Sequence, residues 1–158
     1  MPRPSLQAMV LADQIYQDRS TGKFIIAGTF RGVLLGQQNT IPASSDSAVT
    51  DGRQFVGSVI RSGSPYLYIA LVDVHGEVPL DLKFVDLSDA SVLLEAQFVV
   101  VAVDPVSVAE YCVPMPPLPI TKVGSYSLDL LYDNEILGAW RVVVKGFAEQ
   151  PGDAKESS

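Results

Sequence analysis

The feature that most constrains this chain is a two-residue rhythm in its apolar side chains. In residues 78–87, Val78, Leu80, Leu82 and Phe84 alternate with Asp81 and Lys83. Residues 124–146 read GSYSLDLLYDNEILGAWRVVVKG, in which Tyr126, Leu128 and Leu130 alternate with Ser125, Ser127 and Asp129. On the return, Ile136, Trp140, Val142 and Val144 share a face opposite Arg141 and Lys145. A strand sends successive side chains to opposite faces, whereas a helix would need a period near 3.6. Each of these segments therefore reads as a strand with one apolar and one polar side, as in antiparallel sheets covered on one face. Asp133, Asn134 and Glu135 supply turn chemistry between the last two, which are expected to form an outer hairpin of a sandwich.

The same rhythm recurs along the chain. Residues 6–16 read as a strand with Met9, Leu11 and Ile15 on one face, and Asp13 falls on that apolar face as an apparent violation. Residues 18–23, with Gly22, make a turn, and residues 24–35 read as one returning strand in which Gly28 and Gly32 mark a bulge or a close backbone approach. Residues 36–52 are small and polar without periodicity and read as a long surface loop. Residues 54–60 read as a short strand and residues 62–65 as a turn. Residues 66–74 are apolar on both faces, which predicts a central, well-covered strand. His75-Gly76 makes the next turn. Residues 89–97 carry a possible cap at Ser88 or Asp89 for a short helix. The β-branched run after them, residues 98–103, favours a strand throughout. Residues 113–119, VPMPPLP, cannot form a central strand and read as a polyproline-like connector between the two sheets.

These strands predict an all-β protein, a two-sheet antiparallel β-sandwich. Residues 1–147 are expected to form a single sandwich domain, with residues 148–158 as a disordered tail. A chain of 158 residues can bury roughly 70% of the surface its unfolded form exposes, enough for a full core.

Charge and composition narrow the chemistry. A net charge of −7 with scattered basic residues argues against nucleic acid as a partner, because phosphate binding needs clustered Lys and Arg. No apolar run is long enough for a membrane-spanning helix, and MPRPSLQAMVLADQIYQ at the start lacks the apolar core of a signal peptide. The single cysteine, Cys112, permits no internal disulfide and suits a reducing compartment, so a cytoplasmic location is expected.

Few residues offer reactive chemistry. His75, the only histidine, sits between Asp73 and Glu77 in DVHGE. Zinc needs three or four protein ligands, so an exposed turn imidazole is the better reading than a metal ligand or a general base. No G-x-S-x-G accompanies it for a nucleophilic triad. Cys112 has Glu110 nearby, and an acidic neighbour raises a thiol pKa. Asp46 and Asp51, or Asp129, Asp133 and Glu135, lack the spacing of a calcium loop. The two PxxP spacings, Pro114 to Pro117 and Pro116 to Pro119, have only Lys122 as a basic neighbour, so a connector is preferred over a polyproline ligand. Asp13 is the most informative single residue. On a regular strand it would be buried, and a buried carboxylate must be hydrogen-bonded, so it reads as a structural acceptor before a ligand-binding one.

Three stretches, LADQIYQDRSTGKFIIAGTF, PYLYIALVDVHGE and PMPPLPITKVGSYSLDLLYDNEILGAWRVVVKG, resemble a bacterial domain-of-unknown-function family of small all-β proteins, and together cover most of residues 6–146. The resemblance implies an Ig-like or related two-sheet fold and implies no catalytic residues.

The expectation that follows is a non-catalytic binding or assembly module. It has no cofactor motif and no metal set, and its partner is another protein or a second copy engaged through a sheet edge or the 36–52 loop. The alternative is a carbohydrate or small-ligand module using exposed rings of Tyr16, Tyr66, Tyr68 and Tyr132. A hydrolase using His75 is the third reading.

Overall fold

The computed structural model describes residues 2–29, 32–35 and 65–146. These contain nine strands and no helix: β1 (Ser5–Gln17), β2 (Phe24–Thr29), β3 (Gly32–Leu35), β4 (Tyr66–Val72), β5 (Glu77–Asp86), β6 (Ser91–Val101), β7 (Ala109–Pro114), β8 (Gly124–Tyr132) and β9 (Glu135–Gly146). They form two packed sheets, one ordered β2-β1-β4-β7 and the other β3-β9-β8-β5-β6. All pairings are antiparallel except that of β3 with β9, which is parallel.

The period of two explains why these sheets stack. Leu11 of β1 and Leu67, Ile69 and Leu71 of β4 are fully buried. They meet Leu80, Leu82 and Phe84 of β5, Tyr126, Leu128 and Leu130 of β8, and Val142 and Val144 of β9 in one apolar core. Burying each such side chain is worth about 1.5–3 kcal/mol. Inside, the rings of Phe84 and Tyr126 stack with centroids 5.4 Å apart and planes 5° apart. The opposite face of the five-stranded sheet carries polar pairs beside exposed valines, with Lys83 bridging to Glu95 at 3.3 Å and Gln97 donating to Asp81 at 3.0 Å. Where β1 crosses β9, residue 138 is a glycine, and a Cβ there would collide with Leu6 Cδ2.

The expected strands at 6–16, 66–74 and 78–87 are present within a residue or two, and β4 is central in its sheet. Residues 91–101 form one strand, and Asp89 closes the preceding turn by accepting from Ser91 N at 3.0 Å. The prolines at 114–119 carry the chain from one sheet to the other: β7 ends at Pro114, and Met115, Leu118 and Ile120 are buried on the way to β8.

Two expectations are corrected. Residues 24–35 are not one strand. Gly28 takes a left-handed φ of 74°, β2 ends at Thr29, and β3 belongs to the other sheet. Gly32 there passes so close to β9 that a Cβ would lie 3.2 Å from the Val143 carbonyl oxygen. The 124–146 hairpin is also not an outer pair, because β8 lies in the middle of its sheet between β5 and β9. Its turn is tight, with Asp133 and Asn134 at φ 50° and 62°, the backbone of a two-residue type I′ connection. A bulge between Leu130 and Leu131 shifts the register, so Ile136 faces solvent while Leu137 packs on the core. The loop at 36–52, the strand at 54–60, residues 62–64 of the next turn and the tail at 148–158 lie outside the described residues.

Candidate functional site

Asp13 is exposed, which corrects the expectation of a buried carboxylate. It stands opposite Gly28, where β1 has left its pairing with β4 and keeps only β2. A Cβ at Gly28 would lie 2.6 Å from Asp13 Oδ2, so the glycine provides the room as well as the left-handed backbone. Partial burial pushes the Asp13 pKa up.

Among the described residues the buried carboxylate is Asp86, 2% exposed at the end of β5. It continues the inward series Val78, Leu80, Leu82, Phe84, and it pairs across the ladder with Tyr126. Its oxygens accept from Ser88 N at 2.9 Å, from Ser88 Oγ at 2.6 Å and from Lys122 Nζ at 2.9 Å. The Ser88 hydroxyl and the Lys122 ammonium, with the Ser88 amide, hold its pKa down at about 2. The sequence signal for it was available, since Asp86 is the next even-numbered residue after Phe84.

Ser88 and Lys122 lie 3.3 Å apart, Nζ to Oγ, the pairing a serine–lysine nucleophile would use. That chemistry needs a neutral amine as base. Asp86 raises the Lys122 pKa by accepting its hydrogen bond and by its charge, so the lysine stays an ammonium. The cluster therefore acts as a clamp on the β5–β6 turn, and Tyr126 Oη extends it by donating to the Lys122 carbonyl at 2.8 Å. The same Asp-x-Ser device recurs at Asp18 with Ser20 and at Asp89 with Ser91, and in each case hydrogen bonds from the serine lower the carboxyl pKa.

The remaining candidates are dispersed. His75 is exposed in the β4–β5 turn, between Asp73 and Gly76, both at positive φ. Among the described residues no three His, Cys, Asp or Glu side chains come together to hold a metal ion. Cys112 is half-buried opposite Tyr68, and burial raises its thiol pKa. Of the four candidate tyrosines only Tyr16 is well exposed, at 54%, while Tyr66, Tyr68 and Tyr132 are half-buried. Tyr68 donates to Glu110, and its pKa is pushed up to about 12 by burial first and by that carboxylate second. The Phe24 ring lies 5.7 Å from it, tilted by 59°, so the two present no flat stacking surface.

The structure draws attention to β6, which with β3 is one of the two edge strands of the five-stranded sheet among the described residues. Val92, Leu93, Val99 and Val101 are exposed, and so are Glu95 and Gln97. Its inward-facing residues are poorly covered too: Ala96 is exposed, and Leu94 and Phe98 are only half-buried. The strand thus overhangs the smaller sheet. At one end Tyr111 of β7 reaches across, its hydroxyl accepting from Val101 N at 2.7 Å and donating to the Val101 carbonyl. Those two backbone groups therefore point away from β5. Antiparallel ladders alternate, so the N–H and C=O of Val99, Gln97 and Glu95 point outward as well. Beyond Tyr111, an open hollow of about 310 Å³ runs along the β6–β7 connection, beside Val103 and Val108. Asp104 within it already accepts from Val106 N at 3.0 Å and from Ser107 Oγ at 2.9 Å.

No helix among the described residues is long and apolar enough to cross a membrane. Comparison with protein-family models and with curated proteins finds no match for this chain.

Proposed function

We propose that this protein is a non-catalytic binding or assembly module that takes an extended strand on the edge of β6 that no other described strand covers. The observation that carries the reading is the exposure of β6 on its edge and on both faces. Native edge strands are guarded by Lys, Pro, short length, a bulge or a cover, and β6 has eleven residues with neither Lys nor Pro, its bulge lying near its start at Leu93. Exposed valines beside outward amides and carbonyls are the surface that strand addition uses, the backbone giving affinity and alternate side chains giving selectivity. The partner is then protein rather than nucleic acid, which the charge of −7 disfavours. The single thiol fits action in a reducing compartment such as the cytoplasm.

A titration of isotope-labelled protein with extended peptides of alternating apolar and polar pattern tests the reading. Amide shifts centred on Glu95, Gln97 and Val99 are expected. A parallel titration with oligosaccharides tests the alternative, a small-ligand module built on Tyr68 and its neighbours. Shifts at Phe24, Tyr68 and Glu110 in that arm, with none along β6 in the other, would replace the first reading by the second.

A further inference from the structure

We propose that the occupant of the β6 edge is a second copy of this chain, joined antiparallel about a two-fold axis through Ala96. The inference rests on the β6 edge being the contact surface and adds which partner fills it and in what register.

The outward-pointing residues fix the possible registers. Glu95, Gln97 and Val99 carry the outward backbone groups, so an incoming antiparallel strand must set its own outward residues against them. For two identical strands the axis then falls at Glu95, Ala96 or Gln97. An axis at Glu95 would place two carboxylates directly opposite, which is destabilising. An axis at Gln97 would set Glu95 against Val99 of the second copy and Phe98 against its Ala96, leaving a charge on an apolar neighbour and a large ring against a small one.

With the axis at Ala96 the pairs between Leu94 and Phe98 are complementary. On the polar face Glu95 meets Gln97 of the second copy, carboxylate to amide, and the register shift at Leu93 ends the regular alternation of β6 just before Leu94. On the core-facing side Leu94 meets Phe98 of the second copy, so the two half-buried side chains on the overhang complete each other's cover. Ala96 meets itself at a pair of the non-hydrogen-bonded kind, where strands come closest and a small side chain is required. Glu95 keeps its ion pair with Lys83 at 3.3 Å, so the one acidic side chain at the seam is already compensated. The Tyr111 hydroxyl occupies the edge at Val101 and ends the shared ladder there. The two five-stranded sheets become continuous across the seam.

Sedimentation over a range of concentrations, with variants placed by this register, tests the proposal. The protein is expected to dimerise reversibly. Gln97→Pro removes an outward N–H that the fold itself does not use, a position where an edge strand tolerates proline. By symmetry it deletes two bonds per dimer and is expected to weaken association by about thirtyfold. Ala96→Lys, which places two ammonium groups on the axis, is a second route to the same loss if the proline variant misfolds. In a Cys112→Ser background, Ala96→Cys is expected to form a disulfide dimer on mild oxidation, whereas Val92→Cys, far from the axis, is not. A chain that stays monomeric at every concentration overturns the proposal, and so does a dimer indifferent to both edge variants. If the monomer still takes extended peptides at Glu95, Gln97 and Val99, the edge remains a binding site and only the second copy is excluded. A dimer indifferent to the variants, with no peptide shifts along β6, removes both.

Discussion

Two aspartates show how one carboxylate serves the fold while another costs it. Asp86 is buried yet holds three donors, and Asp13 is exposed yet partly desolvated beside Gly28. For Asp86 the folded pKa, about 2, lies below the ordinary 3.8, so its contribution is whole above pH 3.8 and disappears as pH falls through 2. Asp86→Asn is therefore expected to lower the Tm at pH 7 and to approach the parent protein as pH drops toward 2. Thermal scans across that range check it, and a gap independent of pH would contradict it. Asp13 has the opposite sign, since its raised pKa means that ionisation weakens the fold. Asp13→Asn should leave the Tm at pH 7 unchanged or slightly higher. Ala90 sits at φ 60°, a region that disfavours any residue with a Cβ. Ala90→Gly relieves that strain at the expense of a freer unfolded chain, and a net gain of about 0.5–1 kcal/mol by chemical denaturation is expected.

At the scale of elements, alternation made the strands legible and connections decided the rest. Leu67, Ile69 and Leu71, or Leu80, Leu82 and Phe84, announce an inward face in the sequence because a covered face must be apolar at every second position. The division of residues 24–35 was not legible, because Phe24, Ile26 and Phe30 continue the pattern while Gly28 changes the backbone's handedness beneath it. Ile136 was misplaced for a similar reason, since one bulged residue turns the preceding side chains to the other face. Tyr111 gave no signal at all, because its role is a reach between edges of different sheets. Tyr111→Phe should cost about 1 kcal/mol, the usual net worth of such a bond, and should speed hydrogen exchange at the Val101 amide. Unchanged exchange there would mean the hydroxyl does not hold the β6 edge.

For the whole molecule, fold and site differ in how far sequence could reach. A sandwich core is a statement about many side chains at once, and 47% apolar residues in period-two order leave little choice. A candidate site made of backbone edge has no such signature. Residues 98–103 look like any buried strand, and only the sheet order reveals that β6 has a partner on one side alone among the described residues. Reasoning from reactive residues therefore singled out Asp13 and His75, while the exposed surface lies on valines and main-chain amides. Residue-resolved hydrogen exchange along β6, in dilute and in concentrated solution, tests this account most directly. In dilute solution the account predicts slow exchange at Leu94, Phe98 and Val100, which bond to β5, and fast exchange at Glu95, Gln97 and Val99, which become protected on concentration. Slow exchange at all six amides in the dilute protein would contradict it, because the edge would then be closed before any partner arrived.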